Sequence, residues 1–210
     1  MVEAQFEPGS RGRVLKNLLG IKKKRDMDAA ETAEQERAFA GMLAIYGAGH
    51  RFTTRDICDM HKAWLGAIYP WAGKYRNVNV SKGGFSFAAA QHISSLMREF
   101  EKSILREHTP CRFASMGEIG HALAVVHVEL VLIHPFREGN GRLARILAIL
   151  MALQAGLPPL DFQDIKGKRK QEYFAAIRQG LSRNYTPMED VFKRVIRKTL
   201  KLGRVDIREG

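Results

Sequence analysis

The chain has 210 residues, of which 45% are hydrophobic and 27% are charged, an ordinary composition for a globular protein. This length supports one well-formed hydrophobic core and is short for two, so we expect one domain. Two cysteines are too few for a disulfide framework, and the chain does not start with the segments of a signal peptide. The longest apolar run, residues 122–133, is too short to span a bilayer. We therefore expect a cytoplasmic protein, with export into a host cell left open.

The positive charge is the one unusual bulk property. Thirty-four Lys and Arg residues against 22 Asp and Glu residues give a net charge of +12. The excess is concentrated in residues 11–25, 166–170 and 193–208. Such runs either attract an anionic partner, such as nucleic acid or ATP, or form the solvated faces of amphipathic helices. No aromatic residues interleave them as single-strand binding would need, which favours solvated helix faces.

Helical spacing of apolar residues and cap signals predict seven helices. The expected ranges are about 28–46, 54–69, 89–106, 116–133, 140–156, 168–179 and 187–203. The expected N-terminal caps are Asp28 for the first helix, Thr53 or Thr54 for the second, Ser115 with Glu118 for the fourth, and Thr186 with Glu189 for the seventh. Gly203 is expected to close the last helix.

One segment, residues 72–87, departs from the helical pattern. Short alternating apolar residues flank Lys82-Gly83-Gly84, which predicts a two-stranded hairpin. An isolated hairpin is only marginally stable, so we expect a flap that lies on a helical body. The predicted fold class is all-α with a small β-hairpin flap. One domain is expected over 28–203, with a basic lead-in at 1–27 and a tail at 204–210.

The loop at residues 134–142 joins two strongly apolar helices and is crowded with polar side chains. Placing polar groups between core helices costs free energy unless they have partners. Gly139-Asn140-Gly141 opens the following helix, and free N–H groups at a helix start bind anions. Arg142 and Arg145 add positive charge, Glu138 is a suitable ligand for Mg²⁺, and His134 can act as a general base. This set of groups fits phosphoryl-type transfer.

Each feature of this loop also has a structural interpretation. His134 can end a helix, Glu138 and Arg142 can form an ion pair, and Gly-Asn-Gly can be a simple turn. One such feature alone is more often structural, but nine consecutive residues in this order favour a site.

Other functional classes have weaker support. A basic helical nucleic-acid binder would use residues 166–170, but no helix-turn-helix pattern is present. Gly73-Lys74 is followed by Tyr75 and so makes no P-loop. The His127-Val-Glu129 triplet lacks the Cys-x-x-Cys of a zinc deaminase.

Residues 134–145, His-Pro-Phe-Arg-Glu-Gly-Asn-Gly-Arg-Leu-Ala-Arg, look like the full signature of the Fic (filamentation induced by cAMP) family. Residues 71–76 and 81–84 resemble the flap of that family, and residues 14–21 are similar to the lead-in of many bacterial members. The resemblance covers roughly residues 10 to 190. It implies a helical Fic core and a toxin-like protein adenylyltransferase that moves AMP from Mg·ATP to a Tyr, Thr or Ser hydroxyl.

The resemblance also implies a role for each matching position. His134 would deprotonate the target hydroxyl, Glu138 would hold Mg²⁺, and Phe136 would fix the loop. The nucleotide phosphates would be bound by Gly139, Asn140, Gly141, Arg142 and Arg145. The flap, with Lys82, Gly83 and Gly84, would pair with an extended target segment. Tyr173 or Phe174 would enclose the adenine, with core packing as the open alternative for each.

The resemblance leaves the donor and the regulation open. Both glycines and both arginines are kept, which favours AMP transfer over a Doc-like kinase, with UMP or phosphocholine transfer still open. The family's inhibitory pattern, Ser/Thr-x-x-x-Glu-Gly/Asn, has no complete match: Glu209-Gly210 has the right ending, but Val205 stands at the Ser/Thr position. We therefore expect a separate small antitoxin that supplies a Glu to Arg145. Targets in toxin-like relatives include ATPase subunits of type II topoisomerases, which is a further expectation here.

Overall fold

The computed structural model describes residues 5–206, with side chains through residue 202. Its main helices are α1 (Lys24–Ile45), α2 (Thr54–Leu65), α3 (Ile93–Phe100), α4 (Met116–Ile133), α5 (Asn140–Gln154), α6 (Gly167–Gln179) and α7 (Thr186–Asp206). The strands of this part of the chain are β1 (Ser81–Lys82) and β2 (Phe85–Ser86). The predicted all-α fold with a small hairpin is confirmed. Glu209-Gly210 and the side chain of Val205, which entered the search for an inhibitory pattern, lie outside the described residues.

The core is built around α4. This helix packs against α5 and α7, and also against α3 and α6, so it is buried on almost every side. By length and composition, α4 is a candidate membrane span, although the apolar run at residues 122–133 alone is too short to cross a bilayer. In this fold, 67% of that span is buried inside the protein. The end of α4 and the start of α5 therefore meet within the core, where the predicted site loop lies.

The capping box predicted for α4 is confirmed, and the Thr53 cap predicted for α2 is part of a second capping box. The Thr53 hydroxyl accepts from Asp56 N, and the Asp56 carboxylate accepts from Thr53 N in return. Ser115 and Glu118 make the same reciprocal pair at α4. These bonds satisfy N–H groups that have no partner inside the helix, which fixes where each helix begins.

The predicted ends of the first and last helices are wrong. The first helix begins at Lys24 rather than Asp28, and the Asp28 carboxylate pairs with Lys24 within it. Burial of Met27 against the core holds this extra turn in place. The last helix begins at Thr186, which is therefore not its N-cap as predicted, and it continues through Gly203 to Asp206. A glycine inside a helix costs only about 1 kcal/mol relative to alanine, which does not suffice to end it.

The predicted third helix is present but irregular. A 3₁₀ turn at Ala90–His92 precedes α3, and Glu101–Leu105 and the short α-helical turn Arg106–His108 follow it. Glu101–Leu105 is a π-helical turn. The Glu101 carboxylate accepts from the N–H and hydroxyl of Thr54 at 2.7 and 2.6 Å, so this turn joins the third helix to the start of α2.

The hairpin is shorter than the predicted range. Ser81 pairs with Ser86 and Lys82 with Phe85, and Gly83-Gly84 forms the turn. Both glycines have positive φ, of 57° and 76°, as tight two-residue hairpin turns require. The hairpin lies above the loop between α4 and α5.

Candidate active site

The α4–α5 loop is held in a specific shape by its own residues. The Phe136 side chain, which the resemblance predicts to fix the loop, is fully buried. The Asn140 side chain accepts from Phe136 N and donates to Phe136 O, both at 2.8 Å. The first helical hydrogen bond of α5 runs from Leu143 N to Gly139 O, so the N–H groups of residues 140–142 precede the helical ladder. The backbone N–H of Asn140 can therefore donate to an anion, while the Asn140 side chain fixes the shape of the loop.

His134 is the C-cap of α4 and has a left-handed backbone, with φ of 53°. A non-glycine residue rarely adopts this conformation, and such residues are enriched at functional sites. Its Nδ1 donates to the Val131 carbonyl at 3.2 Å, because a carbonyl can only accept. The lone pair of the imidazole is therefore on Nε2. The Phe87 ring stacks on the imidazole, with a centroid distance of 3.6 Å.

The electrostatic setting keeps His134 neutral. Burial lowers its pKa to about 4, and the nearby positive charges of Arg76 and Lys82 act in the same direction. The hydrogen bond to Val131 and the Glu138 carboxylate oppose this shift but do not outweigh it. A neutral imidazole near pH 7 is the protonation state that a general base needs.

A cavity of about 510 Å³ opens beside the loop, between the hairpin and α6. The sequence predicted twelve site residues, and this cavity is lined by all of them except Asn140 and Gly84. They are His134, Glu138, Gly139, Gly141, Arg142, Arg145, Lys82, Gly83, Tyr173 and Phe174. The fold thus brings the loop, the hairpin tip and α6 to one concave surface, although their segments are far apart in the sequence.

The Glu138 carboxylate is the acidic group of this cavity. It accepts from Gly139 N at 3.0 Å, and 44% of its side chain is exposed. Burial raises its pKa, but the Gly139 hydrogen bond and the charges of Arg142, Lys82 and Lys24 outweigh this, so the pKa is lowered. The described residues contain no group of three potential metal ligands. A single ionised carboxylate would suit Mg²⁺ if a polyphosphate also bound here, because Mg²⁺ is commonly held by one or two carboxylates plus phosphates.

The two arginines of α5 lie in different surroundings. Arg142 Nη2 is 2.6 Å from a carboxylate oxygen of Glu31 and 3.5 Å from Glu138, and its guanidinium lies over the Trp64 ring. Arg145 lies against the rings of Tyr173 and Phe162, at 5.5 and 5.9 Å from their centroids. Its Nε is buried and has no hydrogen-bond partner within the described part of the chain.

The two residues predicted to enclose adenine differ in accessibility. Tyr173 is buried, and its hydroxyl donates to His127 Nε2 at 2.6 Å, while His127 Nδ1 donates to the Ala144 carbonyl. Burial lowers the pKa of His127 to about 4, which keeps Nε2 an acceptor. Phe174 is 38% exposed. Tyr173 can offer only its ring to a ligand, whereas Phe174 has a free face.

Arg76 is a site residue to which the sequence analysis gave no role. Its side chain is buried and donates to three carbonyls: His134 at 2.7 Å, Val78 at 2.6 Å and Ala88 at 2.6 Å. It therefore ties both ends of the flap to the backbone of the proposed base. The only sequence signal was its place in the flap-like segment 71–76, where an arginine is usually expected on the surface.

His61 is a second such residue, on the buried face of α2. Its Nδ1 accepts from Gly73 N at 2.8 Å, and its Nε2 donates to the Glu138 carbonyl at 3.1 Å. The imidazole also stacks on Phe136, with centroids 3.9 Å apart. Burial lowers its pKa to about 4. A single histidine on an amphipathic helix gave no indication that it supports the loop.

One residue of the basic run at 166–170, Lys170, lines this cavity, whereas Arg169 and Lys198 lie at a separate surface. Lys198 pairs with Asp161 and Asp164 at 2.8 Å each, and Arg169 also contacts Asp164. This surface is partly neutralised by its own carboxylates, in agreement with the interpretation of solvated helix faces.

Comparison with known proteins agrees with the fold and the loop. Residues 51–152 match the Fic/DOC family. The chain is 30% identical over 199 residues to the protein adenylyltransferase VbhT of Bartonella schoenbuchensis, covering 94% of this chain and 40% of the relative. It is 30% identical over 151 residues to the protein adenylyltransferase Fic of Drosophila ananassae, covering 71% of this chain and 29% of that protein. The chain thus spans less than half the length of these relatives.

Solved structures show the same fold. A structure of the BepC protein of Bartonella tribocorum with bound AMPPNP superposes with a TM-score of 0.72 at 22% identity, covering 93% of this chain and 97% of that one. The N-terminal Fic domain of a Bartonella effector protein from strain AR 15-3 gives 0.76, also at 22% identity, over 93% and 92% of the two chains. A helical body with a hairpin over the loop between two core helices defines the class, and this chain belongs to the Fic/DOC family.

Proposed function

We propose that this chain is a protein adenylyltransferase that moves AMP from ATP to a Tyr, Thr or Ser hydroxyl of a target protein. The main support is the tautomer of His134: Nδ1 donates to Val131, which leaves the lone pair on Nε2 at a cavity that also holds two arginines and a helix start. Relatives named protein adenylyltransferases, and a fold neighbour with bound AMPPNP, favour the same donor.

The proposed reaction needs one base and one anion-binding surface. His134 Nε2 accepts the proton of the target hydroxyl, and the hydroxyl oxygen forms a bond to the α-phosphorus of ATP. The bond between the α-phosphorus and the bridging oxygen of the β-phosphate breaks, and pyrophosphate leaves. The N–H groups at the start of α5, with Arg142 and Arg145, stabilise the negative charge of the phosphates. Glu138 would hold Mg²⁺, which supplies further charge neutralisation when bound.

Phe174 is the proposed contact for the adenine ring. Its face is accessible, whereas the Tyr173 hydroxyl is already bonded to His127. Tyr173 therefore supports Arg145 and Phe174 from behind. We expect Phe174→Ala to weaken ATP binding more than it weakens binding of inorganic triphosphate, because only the former has a base to stack.

The hairpin is the proposed docking edge for the target. Each of its two strands has only the other as a partner in the described chain, so backbone groups on the outer edges are available. An extended target segment that pairs with this edge would be held in register beside His134. Lys82 and Gly83 line the cavity and place the hairpin tip next to the reaction site.

Restraint by a separate antitoxin is also part of the proposal. The sequence has no complete inhibitory pattern, and Arg145 has no carboxylate among its described contacts. A partner that inserts a Glu beside Arg145 would occupy the phosphate position. We expect overexpressed wild type to inhibit growth and His134→Ala to be harmless. Wild type that is harmless yet active after purification would contradict external restraint.

The function is tested by incubating the protein and a cell lysate with Mg²⁺ and ATP labelled separately on the α- and γ-phosphates. We expect a protein band labelled from the α-phosphate only, and no band with His134→Ala, which removes the imidazole. Label from the γ-phosphate would indicate a kinase. Absence of label from ATP, together with transfer from UTP or CDP-choline, would correct the donor.

A further inference from the structure

Glu31, on α1, is a buried carboxylate that the reaction proposed above does not use. Its side chain is only 2% exposed, whereas an exposed glutamate of the same helix, Glu36, lies on the solvent side. Buried carboxylates are rare and costly unless they are paired. The contacts of Glu31 therefore indicate what this charge does in the molecule.

Glu31 has three contacts, one of which is with Arg142 at the start of α5. Its Oε1 accepts from the Tyr69 hydroxyl at 2.7 Å, and its Oε2 lies 2.6 Å from Arg142 Nη2. The N–H bonds of Arg142 do not point directly at Oε2, so this contact is an ion pair rather than an aligned hydrogen bond. The Glu31 carbonyl accepts from Trp64 Nε1 at 2.8 Å.

Trp64 completes the arrangement. Its ring lies 4.7 Å from the Arg142 guanidinium, which is held against the ring on one side and against Glu31 through Nη2. The same ring lies so close to Gly139 that a Cβ there would be 2.9 Å from it. One cluster, formed by Glu31, Trp64 and Tyr69, thus fixes Arg142 and supports the start of α5.

We propose that Glu31 is a positioning residue for nucleotide binding, which acts by holding the Arg142 guanidinium at the cavity wall. A guanidinium has five N–H donors, so the contact at Nη2 leaves others for phosphate oxygens. An arginine whose orientation is already fixed loses less side-chain freedom when a ligand binds. This inference rests on the function proposed above, because it concerns the same phosphate-binding surface.

A competing role for Glu31 predicts the opposite change in nucleotide affinity when the carboxylate is removed. If the Glu31 carboxylate repelled the phosphates and so restrained the site, its removal would strengthen nucleotide binding. If Glu31 orients Arg142, its removal weakens binding, even though the local charge becomes more positive. The sign of the change therefore distinguishes the two roles.

The test measures binding of the Mg²⁺ complex of a non-hydrolysable ATP analogue to the purified chain by calorimetry. We expect Glu31→Gln to weaken binding roughly three- to ten-fold, the range for one freed side chain. Glu36→Gln, with the same charge change on the exposed face of α1, should not change it. In the transfer assay the loss should fall mainly on KM, with kcat less affected.

A double variant separates positioning from general packing. When Arg142 is replaced by Gln, adding Glu31→Gln should cause no further loss of binding. An equal further loss in that background, or tighter binding by Glu31→Gln alone, would overturn the inference.

If Glu31→Gln does not fold, Tyr69→Phe is the alternative variant, because it keeps the carboxylate but removes one of its hydrogen bonds. Tyr69→Phe should weaken nucleotide binding by a smaller factor, and unchanged binding would overturn the inference. Wild type that binds no nucleotide would overturn the proposed function as well, whereas normal wild-type binding with unchanged Glu31→Gln binding overturns only the role of Glu31.

Discussion

Arg142 and Arg145 are three residues apart on one helix and line the same cavity, yet the two sides of that cavity are built differently. On the side of α1 and α2, Arg142 lies between the Glu31 carboxylate and the Trp64 ring, with Glu138 nearby. On the side of α6, Arg145 lies against aromatic rings, and its Nε has no hydrogen-bond partner among the described residues. The charge of Arg142 is balanced within the chain, whereas that of Arg145 is open to an external anion.

This difference assigns unequal tasks to two residues that look equivalent in the sequence. Arg142 contributes both to the stability of the fold and to the site. We expect Arg145 to contribute mainly to ligand binding, either of phosphate or of the glutamate of an inhibitor. The predictions below test this division, from the largest expected effect to the smallest.

Low pH should destabilise the protein on both sides of the cavity, because each side is supported by a buried neutral histidine. The pKa values of His61, behind Glu138, and of His127, behind Tyr173, are lowered to about 4 by burial, against an ordinary value near 6.5. Between these values the unfolded chain binds more protons, so stability falls as the pH drops from 6.5 to 4 and does not change above 6.5 through these groups. The expected loss is roughly 3 kcal/mol for each histidine.

Urea unfolding at several pH values measures this loss. His127→Gln should reduce the difference in unfolding free energy between pH 6.5 and pH 4 by roughly 3 kcal/mol, the loss expected for one histidine. His92→Gln, at an exposed position, should leave it unchanged. The same pH dependence in wild type and His127→Gln would show that the buried histidine is not responsible.

Arg142→Ala should be the most destabilising arginine substitution. It leaves the Glu31 carboxylate buried without its cation, which costs about 3 kcal/mol for a largely buried pair. Adding Glu31→Gln should recover part of that loss, because the unpaired charge is then removed. The free energy of unfolding in urea measures both variants, and a cost no larger than that of Arg145→Ala would contradict the division.

Gly139→Ala and Gly141→Ala test the same asymmetry in the loop. Gly139 has φ of 85°, and a Cβ there would be 2.9 Å from Trp64 and 3.2 Å from Leu65. We expect Gly139→Ala to cost about 2 kcal/mol of stability. A Cβ on Gly141 meets nothing within 4 Å, so Gly141→Ala should fold normally and weaken only nucleotide binding. Thermal melting and calorimetry on both variants separate the two effects, and equal losses of stability would refute the distinction.

Arg145→Ala should give the smallest change in stability and a clear change in binding. Loss of a charged hydrogen-bond donor to phosphate corresponds to roughly ten-fold weaker binding or more. Stability should fall by no more than about 1 kcal/mol, because the lost contacts are with the aromatic rings of Tyr173 and Phe162 and no buried carboxylate is left unpaired. Arg145→Lys, which keeps the charge, is the matched control and should bind better than Arg145→Ala. A variant that binds nucleotide as well as wild type would remove Arg145 from the phosphate site.

The sequence predicts those parts of the molecule whose signals are local. The Thr53 cap, the Ser115–Glu118 capping box and the Gly83-Gly84 turn fix element ends through neighbouring residues, and all three are present. The first helix starts earlier than predicted because burial of Met27 extends it, and no local cap signal marks its N-cap, Lys23. Gly203 does not end the last helix, although the sequence predicts that it does.

The same distinction holds for the site. Residues 134–145 could be recognised because they are consecutive. Their supports could not, since Glu31, His61 and Arg76 come from α1, α2 and the flap, and His61 contacts Glu138 across 77 positions in the sequence. No local pattern distinguishes these three from an ordinary charged or polar residue on a helix or in a loop.

The most direct test of the central claim is the intact mass and peptide map of the target band after reaction with unlabelled Mg·ATP. We predict a mass increase equal to one AMP on a Tyr, Thr or Ser side chain, which is absent when His134→Ala replaces wild type. An increase equal to one phosphate, or an AMP adduct that forms equally well with His134→Ala, would contradict AMP transfer by this loop.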